Sequence, residues 1–239
     1  MIRLVLFDID GTLIRTDGAG VRAFDRTAEL EFGIRNGTSH MRFAGRTDTS
    51  LVREFFARHG IAAAPANFDR FFSRYVFLLD YFLAPASGRV CGGVREFVHG
   101  LQALSPPPLL GLLTGNIRLG AEIKLRHFGL WGLFGVGAFG DDHENRNELA
   151  RLAHQRGGSA FGRPLRPVET LVVGDTPFDI ECGRSIGARV LAVATGGATL
   201  EVLRRHRPDW AMADLTHTTA AEVARAEGGT GGVRAAPAR

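Results

Sequence analysis

Three short segments of the chain carry residue types suited to phosphoryl chemistry with a divalent cation. Residues 8–12 read Asp-Ile-Asp-Gly-Thr, residues 114–116 read Thr-Gly-Asn, and residues 174–179 read Gly-Asp-Thr-Pro-Phe-Asp. Four carboxylates at one place would repel one another and have raised pKa values, and a hard cation such as Mg²⁺ relieves that repulsion. A hydroxyl beside the free N–H groups of a helix start suits an anion. The three segments therefore predict a magnesium-assisted site for a phosphorylated ligand, provided that the fold brings them together.

The elements that would position these segments are parallel strands. Four short apolar runs, each ending abruptly in polar or glycine residues, predict buried strands over residues 2–7, 109–113, 171–173 and 190–194. Helical patterns lie between the later strands, and strands that are apolar on both faces are typical of a sheet covered by helices on each side. We therefore predict an α/β, doubly wound (Rossmann-like) parallel sheet. Ligands bind such sheets at the carboxyl ends of the strands, where the three segments lie.

A helical insertion interrupts this alternation. Residues 16–86 read as helical throughout, with an aromatic stripe in the last helix that predicts a helical bundle core. We therefore predict an α/β core domain over residues 1–15 and 87–225 and an inserted α-helical cap domain over residues 16–86. Residues 226–239 are Gly, Ala, Arg and Pro without periodicity, and they predict a disordered tail.

The three segments together resemble a known family. Asp8-Ile9-Asp10-Gly11-Thr12, Thr114 and Gly174-Asp175-Thr176-Pro177-Phe178-Asp179 are similar to motifs I, II and IV of the haloacid dehalogenase superfamily, and the insertion resembles its C1-type cap. The cap sequence Phe43-Ala44-Gly45-Arg46-Thr47-Asp48 and Thr114-Gly115-Asn116 resemble the phosphoglycolate phosphatase-like branch. The resemblance implies a phosphomonoester hydrolase acting on a small phosphorylated metabolite, with 2-phosphoglycolate as a candidate.

The resemblance also implies a role for each residue. Asp8 would be the nucleophile that forms an aspartyl-phosphate, and Asp10 would protonate the leaving alcohol and later deprotonate the attacking water. Thr114 and nearby backbone N–H groups would bind the phosphoryl oxygens. Asp8, the backbone carbonyl of Asp10, and Asp175 would hold Mg²⁺, with Asp179 supporting a water ligand of the metal. The substrate-binding candidates are Gly11, Thr12, Arg46, Gly115 and Asn116.

Motif III departs from the family pattern, which usually places a lysine there. All but one of the 29 Lys and Arg residues of this chain are arginine, and the single lysine is Lys124. Arg146 lies at the start of a predicted helix between motifs II and IV and could neutralise the nucleophile and the phosphate. Lys124 is the alternative, although its position in the middle of a helix favours a side chain that extends along the surface to solvent. Arg46 in the cap could bind a second anionic group of the substrate, or it could be a solvated residue before a helix start.

Two other functions stay open at this point. A phosphomutase of the same fold would isomerise a sugar phosphate faster than it released phosphate. A non-catalytic descendant would bind a phosphorylated ligand without turning it over, although the four aspartates argue against it. A carbon–halogen hydrolase is disfavoured, because that reaction has no need of a general acid at Asp10.

Composition excludes several classes of protein. The 239 residues are 45% hydrophobic and 23% charged, with a net charge of +4. The densest basic run, residues 204–207, is short and has no interleaved aromatic residue, which argues against a nucleic-acid partner. No apolar run has the roughly 20 residues that span a bilayer, and the start of the chain lacks a signal-peptide pattern. The two cysteines have no metal-like spacing, and neither do the eight histidines. We expect a cytoplasmic enzyme with no membrane partner, either a monomer or a homodimer.

Overall fold

The computed structural model describes residues 1–85 and 88–225. Its main sheet has six parallel strands in the order β5-β4-β1-β6-β7-β8. A separate two-stranded antiparallel pair, β2 and β3, joins the chain as it enters and leaves the inserted helices. The strands are β1 (Leu4–Phe7), β2 (Ile14–Arg15), β3 (Arg89–Val90), β4 (Leu109–Leu113), β5 (Val136–Ala138), β6 (Thr170–Gly174), β7 (Arg189–Val193) and β8 (Trp210–Met212).

Helices cover both faces of the main sheet. The helices that cover the sheet are α4 (Val94–Gln102), α5 (Arg118–His127), α6 (Arg146–Ala160), α7 (Pro177–Ser185), α8 (Leu200–Arg205) and α9 (Ala220–Arg225), and the inserted helices are α1 (Ala19–Phe32), α2 (Asp48–Arg58) and α3 (Pro65–Leu83). Alternate residues of β1 face opposite ways: Val5 and Phe7 pack with α4, α5 and α9, whereas Leu4 and Leu6 pack with α6, α7 and α8. The predicted doubly wound α/β fold is therefore confirmed. In the parts of the chain that the structure describes, no helix combines the length and the apolarity needed to cross a membrane.

The inserted helices α1, α2 and α3 have a core of their own. Phe24, Phe55 and Phe71 are buried there within aromatic-contact distance of one another. Pro65 begins α3 and Gly33, with a φ of +70°, ends α1, as those residue types favour. The prediction that residues 16–86 are helical throughout is wrong for residues 34–47, which form turns and extended backbone between α1 and α2. The domain boundaries stay a prediction, and the predicted disordered tail, residues 226–239, lies outside the described residues.

Candidate active site

The candidate nucleophile lies where two adjacent strands end. Asp8 directly follows β1 and Asp175 directly follows β6, and these strands pair with Phe7 opposite Val173. Asp179 lies in the first turn of α7. All three aspartates are buried, and one carboxylate oxygen of each lies within 4.8 Å of the other two. The fold therefore brings the first and the third acidic segments together at the carboxyl edge of the sheet.

The chemistry of this cluster fits Mg²⁺. Burial raises the pKa of Asp8 to about 7, and the charges of Asp179 and Asp10 add to that rise while Arg146 opposes it. Burial, with the charges of Asp179 and Asp8, raises the pKa of Asp175 to about 8. Three buried carboxylates lie together, and the charge of Asp179 adds to the raised pKa of both Asp8 and Asp175, so the cluster is short of positive charge. Oxygen donors of this kind are the ligands that Mg²⁺ prefers, so the residues present fit that ion.

Arg146, the first residue of α6, lies beside the nucleophile. Its Nη2 donates a hydrogen bond to Asp8 Oδ1 at 3.4 Å and another to Asp179 Oδ1. Burial alone would lower the pKa of the guanidinium, but the charges of Asp179 and Asp8 raise it above the usual arginine value. Arg146 Nε is a buried donor that has no hydrogen-bond partner among residues 1–85 and 88–225. A permanent positive charge thus faces the carboxylate that would attack the substrate.

Asp179 is the most fully engaged carboxylate of the cluster. Its Oδ1 accepts from Arg146, and its Oδ2 accepts from the Thr176 backbone N–H at 2.9 Å and from Thr176 Oγ1 at 2.6 Å. Thr176 is also the N-cap of α7, and its Oγ1 accepts from the Asp179 N–H. These contacts suit Asp179 to orienting Arg146 and the acidic loop, and they leave it less available than Asp8 and Asp175 to bind a metal ion directly.

Lys124 and Asn116 both contact Asp10. Lys124 Nζ donates to Asp10 Oδ2 at 2.6 Å, and Asn116 Nδ2 donates to the same oxygen at 2.8 Å. The interpretation of Lys124 as a helix residue extending to solvent is therefore wrong, since only 5% of its side chain is exposed. Contact of Asn116 with substrate stays a prediction, since its Nδ2 and Oδ1 are taken up by Asp10, Thr114 and Lys124. Asn116 links the second segment to Asp10.

Thr12 and Gly11 both lie against Asp175 of the acidic cluster. Thr12 is buried, and its Oγ1 donates to Asp175 Oδ1 at 3.0 Å, so its hydroxyl positions Asp175, and contact of Thr12 with substrate stays a prediction. Gly11 lines the pocket, but its N–H is donated to the Ile14 carbonyl at 2.8 Å. Gly11 has a φ of +88°, and a Cβ there would lie 2.6 Å from Asp175 Oδ2. Both residues are therefore needed to place Asp175.

The cap loop before α2 lies directly on the second segment. The Asp48 N–H donates to the Gly115 carbonyl at 2.7 Å, and Asp48 Oδ2 accepts from the Ile117 N–H at 2.9 Å. A Cβ at Gly115 would collide with the Arg46 carbonyl, so the close approach of the cap requires glycine there. The Arg46 guanidinium lines the pocket and pairs with Glu54. The cap residue that sequence reasoning selected for substrate binding thus already has a partner within the cap.

These elements enclose a cavity of about 300 Å³ between cap and core. Asp8, Asp10, Thr114, Arg146 and Asp175 all line it, together with apolar cap residues on the opposite wall. Thr114 is fully buried and its Oγ1 accepts from the Asn116 N–H at 3.2 Å. The candidate nucleophile, acid–base residue, cation and phosphate-binding segment therefore face one compartment of a size suited to a small ligand.

Sequence reasoning did not select Asp48 or Tyr75 as site residues, yet both line the same cavity. Burial raises the pKa of Asp48 to about 6, and the nearby Lys124 charge opposes that rise. Burial, with the charges of Asp48 and Asp10, raises the pKa of Tyr75 well above its usual value. The aromatic pattern in α3 could not separate Tyr75 from the core phenylalanines, and Asp48 has the sequence signature of a helix start. Only the cap's position on the core reveals them.

Comparisons with known proteins agree with this geometry. The family model described as haloacid dehalogenase-like hydrolase matches residues 5–193. The chain is 26% identical to pyrophosphatase PpaX of Bacillus pumilus, covering 90% of this chain and 94% of that protein. It is 28% identical to validoxylamine A 7'-phosphate phosphatase of Streptomyces hygroscopicus subsp. limoneus, covering 82% and 87%. Its fold matches the crystal structure of a predicted phosphoglycolate phosphatase from Haemophilus somnus with a TM-score of 0.69 and 20% identity, covering 90% and 95%.

Proposed function

Because the chain belongs to the haloacid dehalogenase-like hydrolase family and is a hydrolase of its phosphatase kind, we propose that it hydrolyses phosphomonoesters with Mg²⁺ through an aspartyl-phosphate at Asp8. One observation carries this proposal. The buried Asp8 carboxylate lies close to the Asp175 carboxylate and accepts a hydrogen bond from Arg146, and all three residues line the cavity between cap and core. A nucleophile that attacks a negatively charged phosphoryl group needs positive charge beside it, which Arg146 supplies and to which a bound cation would add.

The residues divide the reaction into two steps. In the first, a carboxylate oxygen of Asp8 bonds to phosphorus while the bond from phosphorus to the leaving oxygen breaks, and Asp10 gives that oxygen a proton. In the second, Asp10 takes a proton from a water molecule, whose oxygen bonds to phosphorus as the bond to Asp8 breaks. Phosphate leaves and both aspartates return to their starting state. Arg146 and the N–H groups of the Thr114 segment would stabilise charge on the phosphoryl oxygens.

The carboxylates of Asp8 and Asp175, with the backbone carbonyl of Asp10, would hold Mg²⁺. The ion supplies positive charge to the phosphoryl group and offsets the repulsion among the carboxylates. Thr12 fixes Asp175 through its hydroxyl, and Asp179 fixes Arg146, so each group that meets the ion or the phosphate has a hydrogen-bonded support. Supports of this kind set the orientation and the affinity of a metal site.

The substrate is proposed to be a small phosphorylated metabolite, with 2-phosphoglycolate as the first to test. One relative is named as a pyrophosphatase and another as validoxylamine A 7'-phosphate phosphatase, and both names describe cleavage of a bond to phosphorus. The cavity of about 300 Å³ accepts a small ester once the cap is closed. Arg46 would meet a substrate carboxylate only after leaving Glu54. A cytoplasmic location and a monomeric or homodimeric state stay predictions.

The test is phosphate release by the purified full chain with Mg²⁺, from 2-phosphoglycolate, pyrophosphate, sugar phosphates and an aryl phosphate. We expect turnover of at least one phosphate ester that chelation of the metal abolishes and that Asp8→Asn lowers by about 10³-fold or more. Isomerisation of a sugar phosphate faster than its hydrolysis would identify a phosphomutase instead. Absence of turnover across the panel, or full activity in Asp8→Asn, would disprove the proposal.

A further inference from the structure

Lys124 contacts Asp10, but neither step of the proposed reaction assigns it a role. It lies in the last turn of α5 with only 5% of its side chain exposed, and it extends toward the cavity rather than to solvent. A buried ammonium group is costly unless it is paired. Its Nζ lies 2.6 Å from Asp10 Oδ2 and 2.6 Å from Asn116 Oδ1. The only lysine of the chain is therefore held against the candidate acid–base residue, Asp10.

The contacts of Asp10 are all on one oxygen. Lys124 Nζ and Asn116 Nδ2 both donate to Oδ2, and within the described ranges, 1–85 and 88–225, no hydrogen bond reaches Oδ1. Asn116 Nδ2 also donates to Thr114 Oγ1 at 2.8 Å, so the amide itself cannot rotate freely. Two donors on Oδ2 fix the plane of the carboxylate. The Asp10 side chain is 42% exposed, which leaves Oδ1 open to the cavity.

The cap closes around this pair. Asp48, the first residue of α2, is half-buried and lies close enough to Lys124 for their charges to attract. Tyr75 of α3 and Gly20 of α1 complete the enclosure, because a Cβ at Gly20 would lie 3.6 Å from Tyr75 Oη and 3.7 Å from Lys124 Nζ. Hydrogen bonds to charged groups are stronger where water is excluded. The contact between Lys124 and Asp10 therefore gains strength when the cap lies on the core.

We propose that Lys124 is a positioning residue that holds Asp10 Oδ2 so that Oδ1 faces the oxygen of the leaving group. The inference rests on the proposed phosphatase function. The proton that Asp10 gives to the leaving oxygen, as the bond from phosphorus to that oxygen breaks, travels from Oδ1, and the proton taken from water returns to Oδ1. Lys124 itself exchanges no proton and does not contact the phosphoryl group, beside which Arg146 lies.

This assignment predicts an effect that depends on the leaving group. An aryl phosphate has a leaving oxygen that departs readily without a proton, whereas an alkyl phosphate such as 2-phosphoglycolate depends on the general acid. We expect Lys124→Met to lower kcat for an alkyl phosphate by about 10²-fold, the size of effect that misplacing a reacting group by about 1 Å produces. For an aryl phosphate under the same conditions, the rate constant of the first step should change by less than about threefold.

The experiment measures two rates in wild type, Lys124→Met and Lys124→Arg. The burst of alcohol from an aryl phosphate reports the first step, and the steady-state release of alcohol from an alkyl phosphate reports kcat. Arg126→Met is the matched control, because Arg126 lies on the same helix but is exposed and paired with Glu122. Lys124→Arg keeps a cation and guards against loss of folding, and we expect an intermediate loss with the same dependence on the leaving group. KM should stay unchanged in both variants.

A double-mutant cycle with Asp10→Asn completes the test. If Lys124 acts through Asp10, Lys124→Met should lower alkyl turnover by less than about threefold in the Asp10→Asn background. Equal losses for aryl and alkyl phosphates, or full additivity with Asp10→Asn, would overturn the positioning role and assign Lys124 to the phosphoryl group. Absence of turnover in the wild type with every ester would instead mark failure of the proposed function itself.

Discussion

Removing the Arg146 cation should lower the rate for every substrate to a similar extent. Arg146 Nη2 donates to Asp8 Oδ1 and to Asp179 Oδ1, and neither contact involves the leaving-group side of the cavity. Arg146→Met keeps a long apolar side chain at the start of α6 while removing the charge and the donors. Arg146→Lys restores a charge without the planar guanidinium whose Nη2 donates to two carboxylates.

The expected loss follows from the geometry around Asp8. At an effective dielectric constant of about 20, unit charges at the 3.4 Å separation of Arg146 Nη2 and Asp8 Oδ1 interact by about 5 kcal/mol before the desolvation cost of each group is counted. A preorganised donor to a developing negative charge contributes about 3–4 kcal/mol to the transition state, or about 10²–10³ in kcat. We therefore expect a loss of about 10²–10³-fold in Arg146→Met and about tenfold in Arg146→Lys.

The assay is the initial rate of alcohol release from one aryl and one alkyl phosphate at saturating Mg²⁺, with folding checked by thermal denaturation. Arg151→Met on the same helix is the control, because Arg151 is exposed and paired with Glu148, and such surface pairs contribute less than about 1 kcal/mol. If Arg146→Met retained more than about a third of wild-type kcat, or lost activity toward alkyl phosphates only, the placement of this cation beside the transferring phosphate would be refuted.

Three further outcomes follow from the same geometry. Thr12→Val removes the hydroxyl that fixes Asp175, so the Mg²⁺ concentration for half-maximal activity should rise about tenfold or more; an unchanged metal dependence would contradict that role. Gly115→Ala places a methyl group against the Arg46 carbonyl, so the cap loop must shift and kcat/KM should fall about tenfold or more, whereas unchanged kinetics would show that the cap is not held closed here. The folded-state pKa values of Asp8 and Asp175, about 7 and about 8, exceed the ordinary value of 3.8, so without metal the free energy of unfolding should fall as pH rises from about 4 to about 8. Mg²⁺ should then raise the melting temperature more at pH 8 than at pH 5, and an equal rise at both values would count against a metal site at these carboxylates.

The interior of the fold was predictable from the sequence, and its edges were less so. The four apolar runs correspond to the four central strands, since strands buried on both faces carry a continuous apolar signal. The two edge strands, β5 and β8, have three residues each and include glycine or alanine, so they lack that signal. The prediction of helix over residues 34–47 was wrong, because apolar residues there pack on the cap core although the segment has no helical periodicity of its own.

The site was predictable where a residue's role follows from its place at the end of a strand. Asp8 and Asp175 converge because their strands are neighbours, which the pattern of strands and motifs implies. The partners of Lys124, Thr12 and Asn116 depend on side-chain directions across separate loops, and no sequence spacing encodes those directions. The scarcity of lysine was the one signal that singled out Lys124, although it pointed to the nucleophile and not to Asp10.

The aspartyl-phosphate at Asp8 is tested most directly by trapping it. In Asp10→Asn, an aryl phosphate should still phosphorylate Asp8, because its leaving oxygen needs no general acid, whereas hydrolysis of the intermediate should slow because no general base remains. The measurement is acid quenching of that variant with an aryl phosphate and Mg²⁺, followed by proteolysis after arginine and mass spectrometry of the peptide spanning residues 4–15. We predict that this peptide carries one phosphoryl group on Asp8. Consumption of the aryl phosphate with no phosphoryl group on that peptide, or with the group on another residue, would contradict the account.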